Sequence, residues 1–82
     1  MDPSEIASLI EAGFDDAVVR VESDDNTHFD ALIVAKEFDG KRSIARHQLV
    51  YSCLGKLVGN EIHALSLRTL TPAEFQQQSG EG

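Results

Sequence analysis

The 82 residues predict a small α+β domain with the element order αββαβα. Three observations carry this expectation. The chain opens on a capped helix pattern. Two runs of period-two hydrophobicity follow, separated by a polar loop. A long helical stripe then precedes a third alternating run and a second helix start. A strand reached through a helix needs a crossover, so the third strand is expected to lie parallel to the second, in a three-stranded mixed sheet with helices on one face.

Asp2 can cap the first helix, Pro3 suits its first position, and Glu5 completes a capping box. Ile6, Leu9 and Ile10 supply its apolar stripe, and Gly13, with Phe14 just beyond, marks its end. From Ala17 to Val21 the period changes to two, with Ala17, Val19 and Val21 on one face and Val18 and Arg20 on the other. Glu22 to Thr27 is a polar loop, longer than the roughly two to five residues usual in hairpins, which hints at a use beyond turning the chain. Phe29, Ala31, Ile33 and Ala35 then alternate with Asp30, Leu32, Val34 and Lys36, and this strand should pair antiparallel with the first. Asp39-Gly40 breaks it. Ser43 is expected to cap the main helix, running to Val58 with a stripe of Ile44, His47, Val50, Tyr51, Leu54, Leu57 and Val58. Gly55 inside it signals close packing or an early end, and Gly59-Asn60 a firm stop. Ile62 to Leu70 is the third strand. Thr71-Pro72-Ala73-Glu74 repeats the cap logic and starts a last short helix through Phe75. Residues 1–75 thus form one domain, and 76–82 are expected to be a frayed, disordered tail.

A chain this short needs nearly all its apolar side chains for packing, which disfavours deep catalytic pockets. Its net charge is -7, and the excess is lopsided, since Met1 to Asp30 carries nine acids against the single base Arg20. Lys41, Arg42 and Arg46 make one local basic patch on a protein that otherwise repels polyanions and anionic membranes. One cysteine, Cys53, excludes an intramolecular disulfide and a Cys-only metal cage. A cytoplasmic setting is expected from that cysteine usage, an N-terminus without a secretory pattern and the lack of a membrane-length apolar run.

The common catalytic signatures are absent, so a binding module is expected rather than an enzyme. The three histidines differ in setting. His63 starts the last strand, as an edge histidine or a ligand. His28 ends the acidic loop, as a loop-ending polar residue or a ligand, and adjacent strands would bring it near His63 at one end of the sheet. Two imidazoles there would make half of a four-coordinate site, open to ligands from another molecule. His47 is assigned to structure, as a core-edge histidine hydrogen-bonding a neighbouring backbone or loop. Cys53 reads as a small buried hydrophobe. Asp24 and Asp25 are explained by turn chemistry.

Thr27-His28-Phe29, Phe38-Asp39-Gly40-Lys41, Arg46-His47-Gln48-Leu49-Val50-Tyr51, Ile62-His63-Ala64-Leu65-Ser66-Leu67 and Thr71-Pro72-Ala73-Glu74-Phe75 together resemble the BolA family across nearly the whole chain. The short N-terminus and the His47-Gln48 pair look most like the bacterial IbaG-type members, where the more usual pattern has Arg after that histidine. The resemblance implies a fold related to the class II KH domain. It also implies a monothiol glutaredoxin with a CGFS motif as heterodimer partner, sharing a [2Fe-2S] cluster in iron homeostasis. The glutaredoxin cysteine and a glutathione thiolate would hold one side, while His63 matches the family's ligand histidine and His28 the more variable second ligand. No cofactor is expected in the isolated chain, which should be a monomer or weak homodimer. Imidazole in place of thiolate lowers the negative charge on such a centre and raises its potential. The alternative is a KH-like transcriptional regulator, in the setting of a stress response, that binds DNA through Lys41, Arg42 and Arg46. Against it stand the missing G-x-x-G loop and the acidic net charge.

Overall fold

The computed structural model describes residues 1–80, with side chains through Gln78. The capping box at the N-terminus forms as predicted: the Asp2 carboxylate accepts from Ser4 N at 2.9 Å, and the Glu5 carboxylate accepts from Asp2 N at 3.1 Å. Helix α1, Pro3–Ala12, follows and buries Ile6 and Ile10 completely, while Leu9 stays partly exposed. Gly13 ends it with an ordinary right-handed φ of -91°. Its missing side chain matters instead for packing, because a Cβ there would sit inside van der Waals contact with Cys53 Sγ.

Strands β1, Val18–Glu22, and β2, His28–Val34, pair antiparallel, with Val18 opposite Val34 and Glu22 opposite Asp30. Strand β3, Ala64–Leu70, lies parallel to β2, from His28 opposite Ala64 to Val34 opposite Leu70. The order β1-β2-β3 makes β2 central in a mixed sheet. The odd-numbered residues Phe29, Ala31, Ile33 and, just past the strand, Ala35 are buried and join Ile6, Ile10, Phe38, Val50, Leu54 and Ile62 in one core. Each fully buried aliphatic side chain in it contributes roughly 1.5–3 kcal/mol. On the other face His28, Asp30, Ser66 and Arg68 are exposed, so the sheet is covered on one side and open over much of the other. Ile62, expected in the third strand, precedes it and is fully buried.

The main helix departs from expectation in three ways. Helix α2 spans Ser43–Leu54, followed by a 3-10 turn over Gly55–Leu57, so the early end is the correct alternative at Gly55. Gly55 has φ 56° and ψ -127°, a conformation that essentially only glycine adopts. The N-cap is Arg42, and Ser43 makes no side-chain cap. The buried face is also rotated from the expected stripe: Ile44 is 70% and Tyr51 39% exposed, while Arg46, Leu49 and Cys53 turn toward the interior beside Val50 and Leu54. On that inward side the Arg46 guanidinium meets the Lys41 and Thr69 carbonyls and the Glu74 carboxylate.

Helix α3, Pro72–Gly80, starts with a second reciprocal cap, in which Thr71 N donates to Glu74 Oε1 at 2.8 Å and Glu74 N to Thr71 Oγ1 at 3.1 Å. It continues five residues beyond Phe75, which corrects the tail expected from Gln76 onward. Three consecutive glutamines, good helix formers, carry the helix outward, and Gln78 reaches Arg68 of β3. The remainder of that expected tail, residues 81–82, lies outside the described residues. No described helix is long and apolar enough to cross a membrane.

Candidate metal-ligand site

The parallel register brings the ends of β2 and β3 together. His28 lies opposite Ala64, and the Thr27 carbonyl accepts from both His63 N, at 3.0 Å, and Ala64 N, at 3.3 Å. His63 therefore lies one residue off the position facing His28, on the segment one strand spacing, about 5 Å, away. Both histidines are exposed at this rim. The cleft lined by His28 also takes in Ser23, Asp24, Asp25, Asp30, Ala64 and Ser66, and His63 stands outside that lining.

The loop before His28 is tightly bonded. Asp25 Oδ1 accepts from Thr27 N at 3.0 Å and His28 N at 2.9 Å, and Oδ2 meets His28 Nδ1 at 2.8 Å. Ser23 Oγ donates to the His28 carbonyl at 2.6 Å and accepts from Asn26 N at 2.9 Å, with Asn26 in the left-handed region at φ 61°. The backbone N–H groups of His28 and Thr27, and then the His28 ring, hold the Asp25 carboxyl well below the usual carboxylate range. The turn reading of Asp25 is thus correct, and the same side chain also orients a candidate ligand.

The basic patch divides. Lys41 and Arg42 are exposed. Arg46, expected beside them on an interaction surface, is corrected to an internal role: its side chain is only 13% exposed and pairs with Glu74 Oε1 at 2.8 Å. It also donates to the carbonyls of Lys41, at 2.9 Å, and Thr69, at 3.1 Å, and stacks 5.8 Å from the Phe38 ring centroid. A guanidinium with five donors satisfies several acceptors at once, which makes the half-buried position favourable. His47 is half-buried on α2, but its ring makes no hydrogen bond among the described residues, a correction to the bonded histidine expected there. Cys53 is half-buried, with Sγ 3.4 Å from the Leu49 carbonyl, and burial pushes its thiol up. It belongs to the α1–α2 packing. No group of three or more described His, Cys, Asp or Glu side chains is arranged to hold a metal ion.

The model of the BolA-like protein family matches residues 9–74. The chain belongs to the BolA-like family. A relative in Acinetobacter guillouiae, described as an uncharacterized protein in the rpoN-murA intergenic region, is 35% identical over 96% of this chain and 95% of its own length. The DNA-binding transcriptional regulator BolA of Vibrio cholerae is 42% identical over 67% of this chain, and the match spans about half of that protein, 52%. The solved structure of a BolA homologue from Coxiella burnetii superposes with a TM-score of 0.77 at 38% identity, over 93% of this chain and 97% of the other.

Within this BolA-like chain the residue missed by sequence reasoning is Asp25 as a partner of His28. Its signal was present in the linear chain. An Asp three residues before a strand-opening His, with Ser two residues earlier, is the pattern of a side-chain-bonded turn that can end against the ring.

Proposed function

We propose that this BolA-like domain is a non-enzymatic binding partner of a monothiol CGFS glutaredoxin and contributes histidine ligands, His63 and His28, to a shared [2Fe-2S] cluster. The observation that carries the reading is the strand register: the Thr27 carbonyl bonds the backbone of His63 and Ala64 beside His28, so two exposed imidazoles stand at one rim. The donor chemistry fits. Neutral imidazole nitrogen is an accepted iron ligand in mixed sites, and the chain's one thiol is engaged in helix packing, so thiolates must come from the glutaredoxin and glutathione. Such a cluster would be held between the two proteins, with iron and sulfur homeostasis as its setting. Mixing the protein with cluster-loaded CGFS glutaredoxin should give a heterodimer with an altered visible absorption and circular dichroism spectrum, and His63→Ala should abolish the change. An unaltered spectrum with the wild-type protein would overturn the reading.

A second reading is favoured by a separate observation. The Vibrio cholerae relative is named a DNA-binding transcriptional regulator, and residues 41–60 of this chain contain four bases and no acid. Lys41 and Arg42, not Arg46, would then make the phosphate contacts. Fluorescence anisotropy with duplex DNA should show binding lost in the Lys41→Ala/Arg42→Ala variant. No binding by the wild-type protein even at low salt retires this reading.

A further inference from the structure

We propose that Asp25 is a positioning residue for His28: it fixes the ring proton on Nδ1 and so leaves Nε2 as the free lone-pair donor. This rests on the reading of His28 as a ligand. An ionised carboxylate only accepts hydrogen bonds. Its Oδ2 lies 2.8 Å from Nδ1, a distance at which an unprotonated nitrogen would oppose lone pair to lone pair. The proton therefore sits on Nδ1. Thr27 Oγ1, 3.1 Å from the same nitrogen, is a second acceptor for it.

The carboxylate is itself immobilised. Oδ1 accepts the two backbone N–H groups of Thr27 and His28, which sets the rotamer that aims Oδ2 at the ring. The hydroxyl of Ser23 has one proton, and the shorter contact, 2.6 Å to the His28 carbonyl, takes it, tying the strand start back to the loop. The result is a carboxylate–imidazole pair of the kind that orients metal-bound histidines. An unconstrained neutral imidazole in water prefers the opposite tautomer, with the proton on Nε2. Asp25 reverses that preference, and His28 can then ligate only through Nε2, since Nδ1 is occupied. The His28 side chain is 67% exposed, which leaves it open to an incoming partner.

The test reads the tautomer directly. Long-range ¹H–¹⁵N correlation spectra of the isolated, ¹⁵N-labelled protein, taken about two pH units above the ordinary imidazole value of ~6.5, should show His28 with a protonated Nδ1 and an unprotonated Nε2. In Asp25→Asn the amide oxygen can keep the two backbone N–H groups while its NH₂ replaces Oδ2 and donates to Nδ1, so the tautomer should invert. His63, with no carboxylate on its ring among the described residues, should be unchanged in the same spectra. A protonated Nε2 in the wild-type protein, or the same tautomer in both proteins, overturns the assignment of Asp25. Because this measurement needs no cluster, it stands apart from the heterodimer experiment. With cluster-loaded glutaredoxin, Asp25→Asn should weaken the assembled complex about 10–100-fold. A complex spectrum that is identical for wild type and His28→Ala would overturn the ligand role of His28 instead.

Discussion

The guanidinium of Arg46 ties together the approach to α2, the end of β3 and the start of α3 through the Lys41 carbonyl, the Thr69 carbonyl and the Glu74 carboxylate. Removing it takes a donor from two carbonyls, leaves the Glu74 carboxylate with Thr71 N but no cation, and uncovers the Phe38 ring. Arg46→Ala should therefore cost about 2–4 kcal/mol, measured by urea unfolding, and Arg46→Lys should recover only a small part because an ammonium cannot fork to the same acceptors. The partner carboxylate adds a pH dependence. The hydrogen bond from Arg46, followed by that from Thr71 N, lowers the Glu74 carboxyl from 4.5 to about 2 in the folded protein. The group's contribution is fully present above pH ~4.5 and is lost as pH falls from there toward ~2. Glu74→Gln should accordingly flatten the fall of thermal stability across that acid window while leaving the curve above it parallel to wild type.

At the scale of the elements, α2 is held by how it ends and by what packs against it. Gly55 stops the helix in a conformation closed to other residues, so Gly55→Ala should destabilise the domain by about 1–3 kcal/mol, the reverse of what an alanine does inside a helix. Calorimetry would read this as a drop of about 4–8 °C in Tm per kcal/mol for a domain of this size. Helix α1 approaches α2 through Gly13, where a Cβ would press into the Cys53 sulfur. Gly13→Ala should cost about 1–3 kcal/mol by overpacking, and the cost should shrink in a Cys53→Ala background. A double-mutant cycle showing no coupling between the two sites would contradict this packing account.

For the molecule as a whole, charge is distributed by segment. Residues 41–60 hold four bases and no acid, while the net charge of the chain is -7. Self-repulsion of that acidic excess destabilises the compact state. Raising ionic strength from about 0.01 to 0.15 M shortens the screening length from about 30 to 8 Å, and Tm should rise. A Tm that falls with salt would mean that attractive ion pairs such as Lys36–Asp15 and Arg46–Glu74 outweigh the repulsion. The same asymmetry bears on association: an acidic or polyanionic partner would meet least repulsion at Lys41 and Arg42.

Much of this was legible in the linear chain because it is local. Caps at Asp2 and Thr71 and the period-two run from Phe29 depend on residues a few positions apart, and they sufficed for the element order, the mixed sheet and the family, although the second strand ends at Val34, ahead of the break expected at Asp39-Gly40. The rest depended on partners distant in the chain. In the linear chain Arg46 resembles a surface base; its partners Thr69 and Glu74 lie more than 20 residues away and meet it only in the folded protein. Whether a charged side chain is buried is decided by the hydrogen bonds that offset its lost hydration, and those are set by packing between elements. For the same reason periodicity could bring His28 and His63 to one end of the sheet, but only the parallel register set His28 against Ala64, and only the folded loop set Asp25 against the His28 ring.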